Sequence, residues 1–229
     1  MISPRLEMLP PAQSRLWSEL DQVPADFVLY GGTALALRLG HRQSVDFDFF
    51  GYREFDPMDL ARSIGFLKDA KVTQQKKNTL SVLVERGAPI SVSFFGVPDL
   101  KQIEKPDVVA TNRLQIASLL DLAATKAAVV QARAEAKDYL DLNALIKAGL
   151  SLSRALAAAV AIYGPSFNPQ ITLKALSFFG DGNLRTLPLD VQNHLAAAAR
   201  EVDLDHLPKI VSGSALPLQR SRNDWEIKR

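Results

Sequence analysis

Apolar residues change their period several times along the first hundred positions. In "PPAQSRLWSELDQV", Leu16, Leu20 and Val23 recur at helical spacing behind Pro11, a residue that suits a first helical turn. "PADFVLYGG" then reads as a short apolar strand stopped by glycine, and "GTALALRLG" as a short helix with Thr33 as its N-cap and Gly40 as its C-cap. "SVDFDFFGY" alternates Val45, Phe47 and Phe49 on one side with Asp46 and Asp48 on the other, which predicts a half-buried strand carrying both carboxylates on one face. "DPMDLARSIGFLKDA" predicts a helix capped by Asp56 with Pro57 in its first position. "TLSVLVERGAPISVSFFGVP" predicts a hairpin of two strands around Arg86 to Pro89.

Beyond about Leu100 the texture becomes alanine- and leucine-rich. "RLQIASLLDLAATKAAVVQARAE", "KDYLDLNALIKAG", "LSRALAAAVAIYG", "TLKALSFFG" and "LDVQNHLAAAAREV" all predict helices. The fold class expected is therefore α+β, a small mixed β-sheet core with flanking helices followed by an α-helical domain. The sheet core is assigned to residues 1–105 and the helical domain to 106–212; residues 213–229, rich in Ser, Pro and charge, read as a flexible tail.

Composition narrows this little. The chain has 229 residues, 47% hydrophobic and 23% charged, and a formal net charge of +2, so bulk charge singles out no partner. It has no cysteine, which excludes disulfides and thiolate metal sites, and its histidines, His41, His194 and His206, are scattered rather than spaced as zinc ligands. The N-terminus lacks an uninterrupted apolar run, and nothing reaches the roughly 18 to 20 apolar residues of a membrane span, so a cytoplasmic protein without a membrane partner is expected.

The chemistry concentrates in "FVLYGGTALALRLGHRQSVDFDFF". Residues two apart on a strand point the same way with Cα atoms roughly 6.5 to 7 Å apart, so the oxygens of Asp46 and Asp48 can converge on one Mg²⁺ or Mn²⁺ ion. The Gly31-Gly32 turn into a helix offers backbone N–H groups to phosphate oxygens. Two aspartates on one strand face oppose local propensity, a conflict that tends to occur at functional sites. Lys126 and Arg133, seven apart, share one face of a predicted helix and offer positive charge to a polyphosphate. Asp138 and Asp141 fall at the start of the next helix, where they read either as partners of its dipole or as acids of the site.

In "GGTALAL", "GHRQSVDFDFF", "DLAATKAAVVQARAEAKDYLDL" and "ALSFFGDGNLRTLP", in that order, the sequence resembles nucleotidyltransferases of the AbiEii/AbiGii toxin type, a branch of the polymerase-beta-like superfamily. The resemblance implies transfer of an NMP group from an NTP to an acceptor hydroxyl, with tRNA or another RNA favoured as acceptor, by the toxin of a toxin–antitoxin pair. The antitoxin would be a separate protein, typically a DNA-binding regulator. Gly31, Gly32 and Thr33 would hold the β and γ phosphates, Asp46 and Asp48 the metal, and Lys126 the triphosphate. Asp138 and Asp141 would complete the site from the helical domain, with Arg42 and Ser44 as phosphate or supporting partners. Where relatives often carry a third acid, on the strand "ISVSFFG", this chain has Ser91 and Ser93, which puts a two-metal site in doubt. A small-molecule nucleotidyltransferase of the antibiotic-modifying type, and a catalytically idle module that binds a nucleotide or partner, are the alternatives.

Overall fold

The structure is a computed structural model and describes residues 1–214, so the charged part of the expected tail lies outside the described residues. The chain opens with α1 (Pro11–Leu16), continued by a 3₁₀ segment that buries Trp17 and Leu20. It then enters β1 (Phe27–Tyr30), buried along its whole length, and α2 (Gly31–Leu39). Thr33 is not the N-cap of α2 as expected. Tyr30 holds that position without a side-chain cap, because Gly31 at φ +74° turns the chain two residues earlier, and Thr33 Oγ1 instead donates to the Asp46 carbonyl. Gly40, at φ +67°, closes the helix as its left-handed C-cap.

β2 (Asp46–Gly51) shows the expected alternation, with Phe47 and Phe49 fully buried and Asp46 and Asp48 half-buried on the other face. Val45 departs from it: it precedes the strand and is 62% exposed. α3 (Pro57–Ser63) begins at Asp56, whose carboxylate accepts from the Met58 and Asp59 N–H groups, and stops before Ile64; a 3₁₀ turn follows where a longer helix was expected.

β3 (Lys71–Lys76) has no sequence signal. Every residue in "KVTQQK" is exposed, so no apolar alternation marks it, and it forms only because its backbone pairs with β4 (Thr79–Glu85) at the sheet edge. β4 and β5 (Pro89–Gly96) make the expected antiparallel hairpin, turning at Gly87, φ +85°. Three two-residue strands follow, β6 (Lys101–Gln102), β7 (Asp107–Val108) and β8 (Gln115–Ile116).

The main sheet has seven strands in the order β3-β4-β5-β2-β1-β8-β7. β1 runs antiparallel to β2, and β2 parallel to β5, in a register that sets Tyr30 and Ser93 on either side of Asp48. Residues 107–108 and 115–116 belong to this sheet, because β8 pairs with β1 and β7 with β8. The sheet therefore continues past residue 105, and "RLQIA", expected to be helical, supplies β8 instead.

The helices that follow are α4 (Leu119–Ala132), α5 (Ala136–Lys147), α6 (Leu152–Tyr163), α7 (Pro169–Ala175) and α8 (Leu189–Arg200). Ser118 caps α4 by accepting from the Asp121 N–H, which is why the helix starts there. α7 begins earlier than expected, at an Asn168 cap with Pro169 in its first position, and ends before "LSFFG". β9 (Gly213–Ser214) closes a small ribbon with β6. One hydrophobic cluster runs through the whole assembly, from Leu9 and Phe47 to Leu156 and Leu195. Among the described residues no single helix is long and apolar enough to cross a membrane.

Candidate active site

The face of β2 turned away from the core opens into a cavity of about 480 Å³. Asp46, Asp48, Gly31 and Gly32 form one wall, Arg42 and Ser44 the rim, and α4 supplies Thr125, Lys126 and Val129 opposite. Tyr30, Phe50 and Phe95 give it an apolar side. The glycines are dictated by proximity. A Cβ on Gly31, besides its positive φ, would stand 2.8 Å from Asp48 Oδ2, and one on Gly32 would stand 2.7 Å from Arg42 Nη2 and 2.8 Å from Ser44 Oγ. Only a backbone without side chains lets the start of α2 approach Asp48, Arg42 and Ser44 this closely.

The two aspartates have no protein partner of their own: among the described residues no hydrogen bond or ion pair reaches either carboxylate. Burial, and then the charge of Asp46, push the Asp48 carboxyl above its ordinary pKa, against the weaker pull of Lys126, Lys137 and Arg133. A carboxylate pair without a protein cation beside a helix N-terminus fits a divalent ion with phosphate oxygens as further ligands. No group of three or more His, Asp or Glu residues suited to a metal occurs among the described residues. Ser93 stands next to Asp48 where a third acid would lie, and shares a hydrogen bond of 3.0 Å with Ser81.

Lys126 lines the cavity but is not a free point charge. It is 6% exposed, with Nζ 2.7 Å from Asp138 Oδ1 and 2.6 Å from Asp141 Oδ2. Arg42 grips Asp141 with two hydrogen bonds, 2.7 and 2.9 Å, and His41 Nε2 adds a third at 2.7 Å. Arg133 closes the other end on Asp138, Nε to Oδ2 at 2.8 Å. A chain Arg42–Asp141–Lys126–Asp138–Arg133 thus crosses from the segment after α2 to α4 and α5.

Asp138 and Asp141 are fully buried in this chain and do not line the cavity. Burial opposes ionisation of both. At Asp138 the hydrogen bond from Arg133 and the charge of Lys126 outweigh it, and at Asp141 the hydrogen bonds from His41 and Arg42 do, holding each carboxyl below its ordinary range. They present cations to the site rather than touching it.

Arg133 corrects a sequence expectation: it does not share a helix face with Lys126. α4 ends at Ala132 and Arg133 is extended, φ −150°, so the two cations meet through Asp138 and not through helical spacing. Sequence reasoning also passed over His41 and Lys137. Lys137 lines the cavity from the first turn of α5, and its only sequence signal was adjacency to Asp138; His41 sits directly before Arg42, with no period to mark it.

Residues 15–212 match the family model described as nucleotidyl transferase AbiEii toxin, type IV TA system. A relative from Aquifex aeolicus, an uncharacterised protein, is 38% identical over 124 residues, 53% of this chain; the chain spans only 58% of that relative's length. Among solved structures, the nucleotidyltransferase toxin MenT4 from Mycobacterium tuberculosis H37Rv is similar with a TM-score of 0.58 and 17% identity, over 85% of this chain and 83% of that one. A proposed nucleotidyltransferase from H. pylori has a TM-score of 0.52 and 18% identity, over 82% of this chain and 92% of that one. At such identities the structural likeness speaks for the fold.

Proposed function

Given that the chain belongs to the nucleotidyl transferase AbiEii toxin family, we propose that it transfers a nucleoside monophosphate from an NTP to an acceptor hydroxyl, with RNA, tRNA included, as the acceptor. The observation that carries this reading is the unpaired Asp46–Asp48 face set against the glycine-started N-terminus of α2 in one cavity. In the reaction the acceptor oxygen bonds to the α-phosphorus, the bond to the α–β bridging oxygen breaks, and pyrophosphate leaves with that electron pair while the acceptor proton is lost to solvent.

Asp46 and Asp48 are the residues that would hold Mg²⁺ or Mn²⁺, which supplies Lewis-acid polarisation of the α-phosphate when bound. Gly31 and Gly32 bring backbone N–H groups and the positive end of α2 towards the leaving phosphates. Lys126, Arg133 and Lys137 add positive charge from the opposite wall, and Asp138 and Asp141 fix the first two at their posts. Tyr30, Phe50 and Phe95 offer apolar surface to the nucleoside. The family's type IV toxin–antitoxin description supports a separate antitoxin protein as partner.

The test is incubation of the full chain with each α-labelled NTP, Mg²⁺ and total RNA, or in parallel a small-molecule extract. Label in RNA with matching pyrophosphate release is expected, abolished in Asp46→Asn. Label confined to the small-molecule extract would remove the RNA acceptor, and neither label nor pyrophosphate would remove the transferase reading.

A further inference from the structure

The segment "ALSFFGDGNLRTLP" plays no part in the cavity described above, yet the structure locks most of it in place. Leu176 is fully buried, and Phe179 meets Tyr139 of α5 edge-on with ring centroids 6.2 Å apart. Gly182, at φ +50°, lies against the Ala134 carbonyl where a Cβ would collide. Asn183 Oδ1 accepts from the Ala136 N–H at 2.7 Å. These contacts seat the loop on the junction of α4 and α5, the stretch that carries Arg133 and Lys137 to the cavity.

Phe178 is the exception. It is 59% exposed, and its ring tip lies over Gly180, where an added Cβ would come within 2.6 Å. Most of the ring is therefore open to solvent, so its face is available to a planar apolar partner. Phe178 lines a second cavity of about 430 Å³ with Ile171 and Lys174, and this cavity shares Ala132 and Arg133 with the first. Lys174 is exposed and makes no ion pair among the described residues. Asp181 is the one acid on the lining, against two cations.

We propose that Phe178, flanked by Arg133 and Lys174, is the subsite for an unpaired nucleotide of a single-stranded RNA acceptor end. A base stacks on the phenyl ring, and the adjoining phosphates lie towards the two cations. Stacking on an aromatic side chain is tolerant of sequence, and Arg or Lys beside it follows the backbone. Arg133, shared by both cavities, leads the acceptor from this ring towards the NTP cavity, and Lys174, without an ion pair among the described residues, offers charge to a phosphate chain. The assignment rests on the RNA-acceptor reading above.

The experiment uses the full chain and two fluorescein-labelled RNA hairpins, one with a short single-stranded 3′ overhang and one blunt. Phe178→Ala is expected to weaken overhang binding about tenfold by anisotropy, with Phe178→Trp restoring it, because a single base–aromatic stack is lost and regained. Blunt-hairpin binding and NTP affinity by calorimetry should stay at wild-type values. Lys174→Glu should weaken overhang binding and flatten its salt dependence. Unchanged overhang binding in Phe178→Ala overturns the subsite, as does an equal loss of NTP affinity, which would make the loop a structural support. Wild-type protein that binds no RNA but turns over NTP with another acceptor overturns the subsite and leaves nucleotidyl transfer standing. A wild-type dimer in ultracentrifugation that becomes a monomer in Phe178→Ala overturns it in favour of self-association.

Discussion

At the scale of single residues, Asp48 is where stability and function oppose each other. Its carboxyl is pushed up by burial and by Asp46, so the folded state holds its proton more tightly than the unfolded chain does. Stability of the cation-free protein should then fall as pH rises through that raised value, and ionised Asp48 should cost stability at neutral pH. Asp48→Asn is expected to raise the thermal midpoint in chelator at pH 7. Added Mg²⁺ should raise the midpoint of the wild type and leave that of the variant. The same substitution should lower transfer by at least about a hundredfold, since charge stabilisation worth several kcal/mol is lost with a metal ligand. A variant less stable than wild type in chelator, or as active with Mg²⁺, would contradict the cation assignment. Calorimetry and a turnover assay on one preparation measure both. The Asp-x-Asp pair and Gly31-Gly32 were legible in the sequence because the strand period and the glycine turn are local; His41 and Lys137 were not, because what they face is fixed by elements distant in the chain.

At the scale of elements, the chain of charges from Arg42 to Arg133 joins α4 and α5 to the segment after α2. Removing a cation from it leaves the two buried acids with one partner fewer. Lys126→Ala removes the cation between Asp138 and Asp141, leaving them to Arg133 and to Arg42 with His41, and is expected to destabilise the fold by about 3–5 kcal/mol, as breaking a buried pair from one side does. Urea unfolding at pH 7 measures this; a midpoint equal to wild type would mean that both acids find water or other partners. The two carboxyls are held below their ordinary range, so their contribution is present above the unfolded value of about 3.9 and lost as pH falls below it. Asp141→Asn should therefore be less stable at pH 7 and should lose stability less steeply during acid titration. A parallel acid limb in wild type and variant would contradict the clamp. The helices themselves could be read from alanine-rich periodicity, but the end of α4 could not: Arg133 is an extended residue beyond it and meets Lys126 through Asp138, not through a shared helix face.

At the scale of the whole molecule, sheet and helices share one hydrophobic cluster, and β8 returns from the beginning of the helical part to pair with β1. A fragment of residues 1–105 would leave that edge of β1 unpaired and the surface of α2 that meets α4 exposed. It is expected to lack a cooperative unfolding transition, while the full chain unfolds in one step; circular dichroism melts of both decide this, and a sharp transition in the fragment would show an independent sheet unit. The sequence by itself determined the local structure: β1, β2 and the β4–β5 hairpin from their apolar runs and alternation, the start of α3 from Asp56, the end of α2 from Gly40, and the two acids sharing one face. Those features depend on neighbours within a few residues, so period and propensity carry them. Only the tertiary structure decided that "KVTQQK" is a strand, that "QI" leaves the helical pattern for the sheet, that Asp138 and Asp141 hold cations instead of facing the cavity, and that exposed Phe178 lines one cavity with Arg133. Each of these is settled by a partner far along the chain, and backbone pairing, buried charge neutralisation and loop docking leave no period in the sequence that forms them.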